Sequence, residues 1–378
     1  MKHAYLGASS AHRWLVCPPI LQFEAEVKDR QTSYTLEGTD AHTLAELKLL
    51  EFKGEDVTTE IEDFRAESPY YDEEMEEATT LYRDLVVEQF NTHTNPRIEL
   101  EVQVDFGKWV PEGFGTSDVV IISDGVIEII DLKYGKGVPV DAYQNPQLML
   151  YALGAFDLYD MVYDFDRIRM TVVQPRLDSI STFEIETEEL LYWANNYVAP
   201  RAIQAWEGIG EWNIDADVMR FSKVRAQLRP RAEKNFEIID KYEFTESALL
   251  EPHEIAEILD QAKEIKAWIE SVEYYALDQA ANHGVEFPGF KVVEGRSNRK
   301  IVDENELATV LEEEGFNDIY KPKALLALGQ LEKLVGKKHF AELAEDYLIK
   351  PTGKPTLVPI TDKRNPMNSV QSAIEDFD

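Results

Sequence analysis

The sequence predicts an α/β fold: a mixed β-sheet flanked by helices, with a mostly α-helical C-terminal extension. Three observations carry that expectation. An apolar hairpin pattern occupies residues 119–130. Helix, antiparallel strands, helix and a further strand follow one another around it. Beyond residue 236 the pattern changes to long amphipathic helical periodicity.

Residues 1–50 read as an opening loop and a first core helix, whose start lies in Leu36–Glu46. An acidic helical hairpin follows to about residue 92. Residues 51–90 hold 14 acids against 3 bases, and the run Asp72-Glu73-Glu74-Met75-Glu76-Glu77 fits a solvated helix face. Ile98 to Val104 alternates as a half-buried strand. Val119–Ile122 and Val126–Ile130 are β-branched strands joined by Asp124-Gly125, a strong two-residue hairpin signal. Asn145 as N-cap and Pro146 at the first helical position start a helix. Arg167–Val173 reads as a strand ended by Gln174-Pro175-Arg176, and Glu188–Trp206 as a helix.

Glu254–Ala281 is expected to be a long amphipathic helix with Trp268, Tyr274 and Tyr275 as core anchors. Phe290–Gly295 reads as a short strand, followed by Arg296, Arg299 and Lys300. Two further helices end near Leu348, one of them turning Lys337 and Lys338 outward, and a loop-like tail starts at Lys350. The implied domains are 1–235, with an acidic insertion at about 51–92, and 236–378.

Composition limits the function classes. The chain of 378 residues, 44% hydrophobic, is long enough for a sizeable core and one additional domain. No apolar run approaches the ~20 residues that span a membrane. His12 and Arg13 interrupt any signal-like h-region, so a soluble, cytoplasmic protein is expected. A single cysteine forbids disulfides within the chain, which suits a reducing cytosol. The net charge of −34 opposes binding to a polyanion. Residues 220–234 reverse it locally, with Arg220, Lys223, Arg225, Arg229, Arg231 and Lys234 against Glu233 alone. That stretch reads equally as a nucleic-acid track or as a basic helix paired with acidic neighbours.

The hairpin register brings chemistry together. If Ser123 faces Val126, Asp118 lies opposite Asp131 with Cβ atoms roughly 5 Å apart. Two like charges so placed destabilise a sheet unless a cation offsets them, and hard oxygen ligands suit Mg²⁺ or Mn²⁺. Strand alternation puts Lys133 on the side of Asp131, where its ammonium can hold a hydroxide or developing phosphoryl charge. Gln147 and Tyr151, four apart, share one helix face. Taken singly, each feature has a bland alternative: a surface ion pair, a core tyrosine, a surface glutamine.

Gly115-x-x-Asp118, Asp131-x-Lys133 and Gln147-x-x-x-Tyr151, in this order, resemble the RecB-like branch of the PD-(D/E)XK nuclease superfamily, over roughly residues 9–235. The resemblance implies a restriction-endonuclease-like sheet and a metal-dependent DNA nuclease. It assigns Asp118 and Asp131 to metal, joined by the Leu132 carbonyl, and Lys133 to catalysis. Gln147, Tyr151 and Arg13 are assigned to substrate. Gly38-x-x-x-His42 matches the family's first core helix, which makes His42 a further ligand, with Glu46 a turn on and Glu37 a weaker candidate. The Ser9–Pro18 opening around Cys17 is similar to RecB-like nucleases that carry an iron–sulfur cluster. Met219, Ser222 and Leu228 stand where those proteins have three further cysteines, so no cluster is expected.

The function expected is therefore a Mg²⁺- or Mn²⁺-dependent deoxyribonuclease, more an exonuclease than an endonuclease. The resemblance points to phages and prophages and their recombination or replication, with a single-strand-annealing or single-strand-binding partner. Two other classes stay open: an inactive nuclease-fold DNA-binding or assembly module, and a DNA mimic acting through its acidic helices.

Overall fold

A computed structural model describes residues 4–27, 32–241 and 250–293, with Gly329, Gln330, Gly336 and Phe340. The chain divides into two units, Met1–Ala276 and Leu277–Asp378, and the sheet lies in the first. Short helices α1 (Ala11–Trp14) and α2 (Ile20–Glu24) precede α3 (Ser33–Phe52), whose N-cap Thr32 accepts from the Thr35 N–H. The acidic hairpin is α4 (Thr58–Glu67) and α5 (Glu73–Thr92). Asp72 caps α5 through the Met75 N–H at 2.8 Å, and three glutamates fill its first turn, where the helix dipole favours them.

Strands β1 (Arg97–Asp105), β2 (Phe114–Ser123) and β3 (Gly125–Leu132) form an antiparallel meander. Helix α6 (Pro146–Tyr159), capped by Asn145, crosses over to β4 (Phe165–Gln174), which pairs parallel to β3. β5 (Ser179–Glu186) returns antiparallel, so the order is β1-β2-β3-β4-β5. This is an α/β fold with a five-stranded mixed sheet flanked by helices and a helical C-terminal region. α7 (Thr187–Trp193) passes through a wide turn at Ala194–Val198 into α8 (Ala199–Glu207). α9 (Ala216–Phe221), α10 (Arg229–Lys241) and α11 (Pro252–His283) follow.

The hairpin register is the expected one: Ser123 faces Val126 and Val119 faces Ile130, with Gly125 at φ +83° in the turn. Each face of the sheet is covered. Val120, Ile127 and Ile129 pack with α6 and the N-terminal helices, while Val119, Ile121 and Ile130 pack with α3 and α5. β1 changes face midway. Ile98 and Leu100 belong to the α3–α5 side, yet Val102 and Val104, of the same parity, belong to the α6 side. The residue between them, Glu101, has φ +44°, a left-handed conformation that turns the strand over without shifting its register.

Several expectations need correction. β5 was not foreseen, because its Ser/Thr/Glu-rich sequence reads as polar loop; it is ordered by pairing to β4. Tyr274 is 64% exposed and is no core anchor among the described residues, whereas Trp268 packs edge-on against Phe236. Phe290–Val293 form no strand. The remainder of that segment, Arg296, Arg299, Lys300, the two last helices and the tail lie outside the described residues. Among the described residues no helix is long and apolar enough to cross a membrane.

Candidate functional site

Glu101 and Asp118 lie between the β1–β2 pairs Leu100–Val119 and Val102–Ser117, and Asp118 and Asp131 lie one residue beyond the β2–β3 pair Val119–Ile130, so the three carboxylates form a row across three strands. α3 brings His42 to that row, its Nδ1 3.4 Å from Asp118 Oδ2. Asp118 Oδ2 also accepts the Leu132 N–H at 2.8 Å, which ties β2 to the exit of β3. Lys133 Nζ lies 2.8 Å from Asp131 Oδ2 and 3.1 Å from Oδ1. It also donates to Gln147 Oε1 at 3.3 Å, and Gln147 Nε2 donates to the Tyr151 hydroxyl at 3.1 Å. Tyr82, from α5, donates to the Ile130 carbonyl at 3.1 Å and holds the acidic hairpin against the row.

So His42, Asp118, Asp131, Leu132, Lys133, Gln147 and Tyr151 converge. Glu101 joins them without having been singled out, because Ile98-Glu99-Leu100-Glu101 reads as ordinary alternation with the glutamates in solvent. His42, Glu101 and Asp118 offer ligand atoms that all lie within 4.8 Å of one another. Glu46 adds its charge nearby, since it helps to raise the Glu101 carboxyl. Glu37 instead accepts from Arg176 at 2.8 Å. Arg13 is held by Glu24, with Nε 3.1 Å from Oε2.

The electrostatics follow from crowding. Burial, then the charge of Asp118, pushes the Glu101 carboxyl up to about 7. Asp131 is also raised by burial, with Lys133 opposing and Asp118 adding to the shift. Asp118 goes the other way: burial opposes its charge, but His42, Lys133 and the Leu132 N–H outweigh it. Burial would lower His42, yet Asp118 and then Asp131 carry it up to about 9. Lys133 stays charged because Asp131 and Asp118 overcome its desolvation.

The basic stretch divides. Arg231 is buried against Glu264 at 2.6 Å, Lys234 donates to the Ile214 carbonyl and Arg225 to that of Arg220; these are structural. Lys223 lines a cavity together with Arg13 and Tyr151. Cys17, Met219, Ser222 and Leu228 are all buried, and Cys17, Met219 and Leu228 pack in one apolar cluster.

Over residues 3–365 the chain matches the family described as "Protein of unknown function (DUF2800)". It is also similar to a solved structure described as "Crystal structure of SSO0001", at 16% identity, covering 58% of this chain and 96% of that chain, with a TM-score of 0.25.

Proposed function

We propose that this chain, which belongs to the DUF2800 family, is a divalent-metal-dependent deoxyribonuclease that hydrolyses phosphodiester bonds. The observation that carries the reading is the row Glu101–Asp118–Asp131, flanked by His42 on one carboxylate and Lys133 on another. Three carboxylates at adjacent cross-strand positions repel one another, and one histidine and one lysine do not offset a phosphate-binding task as well. The donor set fits a hard ion: carboxylate oxygens and one imidazole suit Mg²⁺ or Mn²⁺.

His42, Glu101 and Asp118 would hold the ion, with Asp131 and the Leu132 carbonyl beside them. When bound, such an ion polarises a phosphoryl oxygen and makes water a better nucleophile. The chain's own part is to orient and stabilise. Asp131 and Gln147 fix the Lys133 ammonium, which supplies positive charge where charge builds on the phosphoryl group. Tyr151 keeps Gln147 in place and faces the substrate side.

Action from a DNA end, a cytoplasmic setting in phage-type recombination or replication, and a single-strand-annealing or single-strand-binding partner complete the reading. These rest on the resemblance of the three motifs.

The test is incubation of labelled linear and closed circular DNA with Mg²⁺, Mn²⁺ or EDTA, comparing wild type with Lys133→Ala. Decay that needs metal and falls at least about 100-fold in the variant is expected, with closed circles surviving. No decay in any buffer would sink the enzyme reading, and capture of a basic protein partner by the intact chain would then favour a DNA mimic.

A further inference from the structure

The end of the sheet away from the carboxylate row gathers acids that the nuclease reading does not use. Phe165 pairs with Gly125 at the start of β3, whereas Asp131 stands near its end. Beside Phe165, where α6 leads into β4 and β5 into α7, lies a second cavity, of about 480 Å³. Asp160, Asp164, Asp166, Glu186 and Glu188 line it. Among the described residues no lysine, arginine or histidine does so, and none of these five carboxylates has an ion-pair partner. Bases close in sequence go elsewhere. Arg167 faces Glu186 in the β4–β5 register but pairs with Glu184 at 3.8 Å. Lys108 takes Asp157 at 3.2 Å, about a turn before Asp160.

Helix dipoles account for part of this acid and sharpen the rest. Glu186 and Glu188 stand at the start of α7, where negative charge is favoured. Asp160 is the C-cap of α6, whose last turn holds no basic residue, so the negative end of that helix adds to the carboxylates. Two further features point to a ligand. Thr187 is the one buried residue among those lining the cavity, 6% exposed, and its hydroxyl has no hydrogen-bond partner. A buried hydroxyl left so is costly, and a donor held in the cavity would satisfy it. Aromatic surface is the other feature. Tyr163 and Phe165 stack at 5.9 Å with planes 22° apart, and Phe156 packs against Phe165 at 6.2 Å. All three rings line the cavity, and ring faces attract ammonium groups.

A metal ion is the poorer match. Among the described residues, the three ligand atoms gathered within 4.8 Å belong to His42, Glu101 and Asp118, not to these acids. Dispersed carboxylates beside aromatic rings suit several ammonium groups carried on one flexible apolar chain. We propose that this cavity binds a linear polyamine. Asp160, Asp164 and Asp166 take its ammonium groups, Tyr163 and Phe165 cover its methylenes, and the Thr187 hydroxyl accepts one N–H. The volume lies in the range of small-ligand sites. The site is independent of the nuclease reading.

The experiment is calorimetric titration of spermidine into the full-length protein in EDTA, at about 0.15 M salt to screen diffuse attraction. One saturable site per chain is expected. Asp164→Asn combined with Asp166→Asn is expected to weaken it at least about tenfold. Thr187→Val and Tyr163→Ala are each expected to weaken it at least about threefold. The control combines Glu77→Gln with Glu88→Gln, exposed acids of α5. It removes the same charge and should change affinity less than about twofold. Circular dichroism and melting temperature report folding; if Tyr163→Ala is unfolded, the other cavity variants decide. An equal loss in the control, no saturable site, or indifference to the folded cavity variants overturns the proposal. So does displacement of spermidine by an equal concentration of Ca²⁺, which would make the cavity a metal site. Equal affinity for Nα-acetyl-lysine amide overturns it too, since one ammonium would then suffice.

Discussion

Glu101 is the residue where stability and function pull apart. A non-glycine residue at φ +44° within a strand costs on the order of 1 kcal/mol, and its carboxyl is half-buried beside two others. Glycine would relieve both, so Glu101→Gly is expected to raise the melting temperature in EDTA by a few degrees and to abolish metal-dependent hydrolysis. A lower melting temperature would mean that the carboxylate stabilises the metal-free fold. The same crowding makes metal binding a proton-releasing event. His42 titrates at about 9 and Glu101 at about 7, each above its ordinary value, so both hold protons at pH 6. A ligand must lose its proton to bind, so Mn²⁺ is expected to release about two protons at pH 6, about one at pH 8, about half of one at pH 9 and almost none above about pH 10. Apparent affinity therefore rises with pH across that window. In the metal-free protein the sign for His42 is the reverse: its raised value stabilises the fold below pH 6.5, and that contribution is lost as pH climbs through about 9. Calorimetric titration in buffers of different ionisation enthalpy counts the protons, and a pH-independent count near zero would exclude His42 and Glu101 as ligands.

At the scale of elements, an arginine ties the acidic hairpin to the helix that carries His42. Arg176, just past β4, donates to Glu37 of α3 at 2.8 Å and to Glu74 of α5 at 3.0 Å, and lies over the Tyr134 ring at 4.4 Å. Tyr134 follows Lys133 directly, and Lys136 reaches Glu74 as well, so three elements meet at this point. Arg176→Ala is expected to cost about 1–3 kcal/mol, since Glu37 and Tyr134 lose a largely buried partner. It is also expected to lower kcat more than it raises KM, by loosening α3 and with it His42. A change in KM alone would place Arg176 in substrate binding. This network also marks the limit of what the sequence discloses. The Asp118–Asp131 juxtaposition was legible because a two-residue Asp-Gly turn fixes register, and β-branched residues on both sides leave one way to pair. The Asn145 cap, the Gln147–Tyr151–Lys133 relay and the His42 helix were legible for similar local reasons. Glu101 was not, because a backbone dihedral that turns a strand over leaves no mark in residue types. β5 was hidden because an edge strand with polar residues on one face carries little apolar signal, and its order comes from β4. Arg176 and the cavity beside Tyr151 were hidden because they join segments more than a hundred residues apart.

For the whole molecule the question is how a chain of net charge −34 holds a polyanion at all. Part of the acidic excess, 14 acids against 3 bases, falls on residues 51–90, where acids serve Arg65, Lys48 and Arg176 or face solvent. Much of the basic stretch after α9 is engaged inside the fold, as Arg231 and Lys234 show. Among the described residues, Arg13, Lys133 and Lys223 are cations at the site and its cavity, with Arg13 facing Glu24 and Lys133 facing Asp131. Three phosphates neutralised on a single strand correspond to a slope of about −2 in log affinity against log salt. Between 50 and 200 mM salt a twelve-nucleotide single strand bound to the wild-type protein in EDTA should thus lose about 15-fold in affinity, a modest dependence for a nucleic-acid-binding protein. Long-range repulsion acts on the association rate in the opposite sense, because salt screens the acidic surface within roughly 10 Å. Association should accordingly quicken as salt rises, while dissociation quickens more. Stopped-flow anisotropy separates the two. On that strand a slope of about −4 or steeper, with association slowing as salt rises, would show that Arg220, Arg225 and Arg229 join the binding surface. The strand would then run along the outside of the protein and not into the cavity beside Tyr151.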